Sequence, residues 1–252
     1  TVTGLVEWPN ALLGAFDPDF LGIPPEVLIS SMRDHQKFFH IVDKTGALLP
    51  NFIAVSNIKR NKTGRVRKGN ERVLRARLSD AKFFWVEDCK STLNDWVQNL
   101  KGVSFHTQLG SLYDKTCRIE KLSTSIARIL GWDHSRVSRS AYLCKADLAS
   151  QMVGEFPELQ GTMGYHYSRQ NRELREVSTA IAEHYLPKHA GDKLPTSRSG
   201  KILAIADRID TLTGIFSAGE EPTGEKDPYA LRRAALGVIR ISIASHHFVT
   251  IL

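Results

Sequence analysis

The sequence predicts an α+β protein in which a mixed, β-rich first domain, residues 1–106, is followed by an all-helical second domain, residues 107–245. Three observations predict it. Short β-rich runs separated by turn residues lie in the first sixty positions, and apolar residues recur at helical spacing from residue 107 onward. The texture changes at GVSFHTQLG, residues 102–110. The 252 residues are 42% hydrophobic and 24% charged, which supplies a core for one large domain or two modest ones and excludes a disordered chain.

In chain order, PPEVLISSM, residues 24–32, reads either as a short helix beginning on Pro24 and Pro25 or as an edge strand. KFFHIV and NFIAVS, separated by DKTGALLP with Gly46 and Pro50, read as a hairpin. The stretch KRNKTGRVRKGNERVLRARL, residues 59–78, sets nine cations against Glu71; its first half, with Gly64 and Gly69, reads as a mobile loop. Such a segment either wraps a phosphate backbone or serves as a solvated loop.

The helical stripes follow. Leu112, Ile119, Leu122, Ile126 and Ile129 form the first, and Val137, Ala141, Cys144, Leu148 and Met152 the second. EFPELQGTMGYHYSRQ, with Gly161 and Gly164, reads as a tight, closely packed connection. Leu174, Val177, Ile181 and Tyr185 make a third stripe; AGDKLPTSRSG is a loop, and Ile202, Ala206, Ile209, Thr213 and Phe216 make a fourth. In DPYALRRAALGVIRI, residues 227–241, Asp227 is placed to cap a helix and Pro228 to open it. Leu231, Ala235, Val238 and Ile239 then share a side, and Arg232 and Arg233 stand at its edge. There a charge can reach water or a phosphate, and at least one of the two is expected to form a salt bridge with a carboxylate on a neighbouring helix.

The net charge of +7 favours polyanionic partners. Cys89, Cys117 and Cys144 are odd in number and carry no CxxC pair, which argues against a disulfide framework and a zinc site and for a reducing compartment. No apolar run reaches the length of a membrane span. There is no GxSxG elbow, Walker loop or GxGxxG, and Cys144 reads as buried rather than reactive. No His is followed directly by Asp, the pair by which HD-superfamily phosphohydrolases hold a metal; Asp133-His134 and Asp34-His35 stand in reverse order as cap or loop residues. His166, His184 and His189 read as exposed or hydrogen-bonded. Asp147 and Asp207 lie within apolar stripes and need a partner, with Arg208 or Lys145 in reach by spacing.

EWPNALLGAFDPDFLGIPPEVLISSMRDHQKFF, GNERVLRARLSDAKFFWVED, LGSLYDKTCRIEKL, KADLASQMVGEFPELQGTMGYHY, AIADRIDTLTGIF and GEKDPYALRRAALGVIRI resemble, in order, the β subunit of bacterial-type heterotetrameric glycyl-tRNA synthetase. The resemblance covers about residues 5 to 241 and implies an internal fragment of a longer subunit, with 246–252 an atypical tail. It implies an α2β2 enzyme that charges tRNA(Gly) with glycine using ATP and magnesium, both at the α subunit. This chain is then expected to bind no cofactor and no metal and to carry no catalytic residue, while contributing tRNA binding and assembly with the α subunit. The expected place is a cytoplasm or an organelle of bacterial descent, with no membrane. The resemblance further implies that the helical domain is HD-like, with Asp147 and Asp207 at degenerate positions of the metal motif and the paired His absent. Lys59, Arg60, Lys62, Arg65, Arg67, Lys68, Arg232 and Arg233 are the candidate tRNA contacts, chosen for charge and context. Two other readings stay open: an HD-type metal-dependent phosphohydrolase acting on a nucleotide or cyclic phosphate, and a non-catalytic scaffold for the α subunit.

Overall fold

A computed structural model describes residues 2–57, 63–224 and 226–245. The chain divides into two compact units, Thr1–Lys90 and Ser91–Leu252. The division falls at 90/91, earlier than the 106/107 expected. Residues just after it are bound to the helical part: Leu93 N–H donates to Asn171 Oδ1 (2.8 Å), and the Trp96 ring meets Tyr167 edge-on at 4.8 Å.

The first unit holds a three-stranded antiparallel sheet in the order β1-β3-β2, with β1 Asn10–Ala15, β2 Phe39–Val42 and β3 Leu48–Ser56. The expected hairpin is β2–β3. Its turn is tied by Asp43, whose Oδ1 accepts from Thr45 N–H (2.8 Å) and Ala47 N–H (2.9 Å), and Gly46 takes the left-handed backbone (φ 86°) that closes it. Strand β1 was not anticipated. Leu12 turns inward and Leu13 outward, and Gly14 lets the Phe52 ring cross the strand where a Cβ would lie 2.4 Å from it. PPEVLISSM resolves as helix α1, Pro25–Ser30, with Pro24 at the cap.

The basic segment is not a loop where it is described: α2 runs from Thr63 to Asp88 and includes Gly64 and Gly69. Leu74, Leu78 and Ala81 are fully buried at helical spacing, so packing of the C-terminal half holds the register, and an Arg67–Glu71 pair one turn apart (3.8 Å) supports the N-terminal half. Packing thereby overrides the poor helix propensity of two glycines.

In the second unit a two-stranded ribbon, β4 Ser104–His106 and β5 Gly110–Ser111, precedes helices; α3 is Leu93–Asn99, before the ribbon. After it come α4 Leu112–Ile129, α5 His134–Leu143, α6 Gln151–Glu155, α7 Thr162–Gln170, α8 Arg175–Glu183, α9 Arg198–Ser217 and α10 Leu231–Ala244. Side-chain caps start several of them, including a Ser111–Asp114 capping box on α4 and Asp133 on α5. Helix α9 is central: Ile202, Leu203, Ala204, Ile205 and Ala206 are all buried, so apolar residues surround it instead of forming one stripe. Ile119, Ile126, Val137, Ala141, Ala180 and Ile241 pack with it. Ile129, Leu174, Phe216 and Ile239, placed on stripes by spacing, are exposed at stripe ends or edges. Helix α10 starts at Leu231, not Pro228, after Ala230 in a left-handed conformation (φ 55°), yet Asp227 still caps it: its carboxylate accepts from Leu231 N–H (2.7 Å) and Arg232 N–H (3.0 Å).

Candidate functional site

Helices α4, α8 and α9 and the 3-10 turn Ala146–Ala149, with Lys145 just before it, converge on a buried charge cluster. Lys145 donates to Asp207 Oδ2 at 2.7 Å and, through the same Nζ, to His184 Nε2 at 2.9 Å. Lys115 donates to Asp210 Oδ2 (3.0 Å) and Thr211 Oγ1 (2.7 Å) and lies 3.1 Å from Asp207 Oδ1, attracting that oxygen by charge without a hydrogen bond. Arg118 completes the group with Nε 2.6 Å from Asp210 Oδ1. Both lysines are about 5% exposed. Ammonium groups so buried persist only with carboxylate partners.

Protonation follows from this arrangement. Burial alone would raise the Asp207 carboxyl, but the charges of Lys145 and Lys115 outweigh it and hold Asp207 well below the usual carboxylate range. Burial would likewise pull the Lys115 ammonium down, and Asp207 and Asp210 reverse the sign and raise it. Burial and then the Lys145 charge keep His184 well below the ordinary histidine value. His184 is therefore the neutral imidazole, donating from Nδ1 to Ile181 O (2.6 Å) and accepting at Nε2 from Lys145.

The geometry does not fit a metal. Where a cation could sit between His184 and Asp207, the Lys145 ammonium already sits, satisfying both ligand atoms. Among the described residues no group of three or more His, Cys, Asp and Glu side chains could hold an ion. Asp147 belongs to a different arrangement. Fully buried, it accepts at Oδ2 from Gly161 N–H (2.6 Å) and Gly164 N–H (3.0 Å) and so ties the turn before α7. Burial pushes its carboxyl up to about 6, against the lowering by those two amides. The close packing expected of EFPELQGTMGYHY is physical: a Cβ at Gly161 would meet the Tyr185 ring at 2.5 Å and one at Gly164 the Ile181 side chain at 2.6 Å. Cys144 is buried, and burial pushes its thiol up to about 12, which removes thiolate chemistry.

A cavity of about 540 Å³ opens over this cluster, lined by Lys115, Lys145, Lys188, Arg208 and Arg233 against the single carboxylate of Asp207. Arg208 does not pair with an acid; its guanidinium clamps the carbonyls of His184, Ala204, Tyr185 and Pro187 at 2.9–3.2 Å. The salt bridge expected for Arg232 or Arg233 is absent among the described residues. Arg232 donates to Thr223 O and Arg233 to Lys188 O (3.4 Å), because the neighbouring chain turns its carbonyls, not a carboxylate, toward α10.

The other candidate tRNA contacts separate. Lys59, Arg60 and Lys62 lie outside the described residues. Arg65, Arg67 and Lys68 are exposed on the first turns of α2. Arg65, Lys68, Arg72 and Arg75 share one exposed ridge at helical spacing. Sequence reading missed Lys115, and it read His184 as exposed or hydrogen-bonded without naming Lys145 as its partner. The one available signal was a lysine within the buried stripe between Leu112 and Ile119; nothing local reveals a contact between residues as distant as Lys145 and Asp207.

A family model and curated relatives match nearly the whole chain. Residues 1–251 match the family model described as glycyl-tRNA synthetase beta subunit. The glycine–tRNA ligase beta subunits of Pseudomonas syringae pv. tomato and Chromohalobacter salexigens are 50% and 52% identical over 242 residues, covering 96% of this chain. The chain spans 35% of the length of these relatives. Among solved structures, an HD superfamily hydrolase from an uncultured Thermotogales bacterium aligns at a TM-score of 0.40 and 19% identity, over 63% of this chain and 90% of that one. On the match over residues 1–251 and the identity of half its residues, the chain belongs to the glycyl-tRNA synthetase beta subunit family.

Proposed function

We propose that this chain serves glycine–tRNA ligase as a part that binds tRNA(Gly) and assembles with the α subunit, while glycyl-adenylate chemistry, with its ATP and magnesium, takes place on the α subunit of an α2β2 enzyme. Family membership is the observation that carries the reading. The site chemistry supports it from the other side. A metal hydrolase needs an open cation position to lower the pKa of a bound water, and here an ammonium group holds the His184–Asp207 position.

The basic ridge of α2 is the surface we assign to RNA. From Arg65 to Arg75 it extends about 15 Å along the helix, enough to follow successive phosphates of a strand. Mixing the chain with the α subunit and measuring the mass of the complex, with and without tRNA(Gly), tests the reading. Complex formation with α, and tRNA retained by the chain, are expected. A chain that joins neither partner overturns it.

A further inference from the structure

We propose that the cavity over Lys145 is a nucleotide pocket that holds the phosphate and base of one nucleotide unit, whether free or at the end of an RNA strand. Its volume, about 540 Å³, falls in the range of about 300–1,000 Å³ typical of small-molecule sites. Charge selects the ligand class. Asp207 is consumed by Lys145 and Lys115, and His184 is neutral, so the walls present the side chains of Lys188, Arg208 and Arg233, which form no ion pair among the described residues. Three basic side chains without an ion-pair partner, with Asp207 and Asp227 acting on Arg208 and Arg233 through their field alone, favour a multiply charged anion over a monocarboxylate.

The donors divide by availability. Arg208 spends its guanidinium on backbone carbonyls and acts through its field. Lys145 uses two of its three N–H groups on Asp207 and His184, and its ammonium lies over the Tyr185 ring, 4.2 Å from the centroid. At the rim, Arg233 makes one long contact, to Lys188 O at 3.4 Å. The rest of the wall suits a base. Tyr229, which lines the cavity, meets His106 edge-on with ring centroids 5.9 Å apart and is hydrogen-bonded through its hydroxyl to Glu220, and the Gln160 side chain offers a donor and an acceptor. Lys145 thus takes the electrostatic part a metal would play toward phosphate without lowering the pKa of a water. The pocket binds and does not hydrolyse.

The pocket residues belong to the second unit and the α2 ridge to the first. The test is isothermal titration calorimetry of the full chain with adenosine monophosphate, adenosine and a single-stranded RNA oligonucleotide. Adenosine monophosphate should bind at least about tenfold more tightly than adenosine. The rim variant Lys188→Glu/Arg233→Glu, folded by circular dichroism, should lose about tenfold in affinity for the nucleotide. Competition by the oligonucleotide identifies a strand end as the source of the ligand, and its failure to compete identifies a free nucleotide; both support the pocket. Equal affinity for adenosine and its monophosphate, no binding of any probe, or binding indifferent to the rim variant overturns the proposal.

Discussion

Lys145 shows how a single residue decides what a site can do. Its ammonium is the donor for both Asp207 and His184. In Lys145→Met, which keeps the length and removes the charge, Asp207 is left with Lys115 and the buried His184 Nε2 loses its donor. We expect a loss of about 3–5 kcal/mol in unfolding free energy by urea titration; a loss below about 1 kcal/mol would show that the cluster is not a buried ion pair. Asp147 makes a pH-dependent counterpart. Its carboxyl ionises near 6 in the folded chain against an ordinary 3.8, so the native state keeps the proton longer and ionisation penalises folding as pH rises between those values. Asp147→Asn retains an oxygen for the amides of Gly161 and Gly164 and removes that penalty. Its stability relative to the parent should therefore rise by roughly 3 kcal/mol between about pH 4 and pH 7, and a difference flat in pH would contradict the assignment. Both carboxylates were legible in the sequence, since an acid on an apolar stripe needs a partner. The partners were not. Lys145 was in reach of Asp147 by spacing but folds toward Asp207, and Asp147 turns to two backbone amides that no side-chain pattern announces.

At the scale of elements, two helical glycines make opposite predictions for one substitution. A Cβ at Gly69 of α2 meets nothing within 4 Å, so Gly69→Ala should stabilise by about 0.5–1 kcal/mol through helix propensity alone. A Cβ at Gly237 of α10 would lie 2.6 Å from Arg208 Nε, and Arg208 is pinned by its carbonyls, so Gly237→Ala should cost about 1–3 kcal/mol. Thermal denaturation of the two variants checks both; the same sign for both would refute the packing described. Elements with a clear period or turn chemistry were legible: the β2–β3 hairpin, the helical stripes of α4, α5, α8 and α9, and the Asp227 cap. Helix α2 was not, because its polar N-terminal half is helical by continuity with Leu74, Leu78 and Ala81 rather than by its own composition. Strand β1 was missed for a related reason, since its partner β3 lies forty residues on and Gly14 weakens the local strand pattern.

For the whole molecule, the α+β order of the two units was legible from composition and period, and the boundary was misplaced because residues 91–106 look unlike the helices they pack with. Among the described residues no helix is long and apolar enough to cross a membrane. We propose that the chain attracts RNA through the α2 ridge. The most direct test is a filter-binding titration of tRNA(Gly) across salt concentrations, for the parent chain and for Arg65→Glu/Lys68→Glu/Arg72→Glu. Affinity is expected to fall steeply with salt and to drop at least about tenfold in the variant, with a shallower salt slope. Equal affinity and equal slope for the two proteins would contradict it.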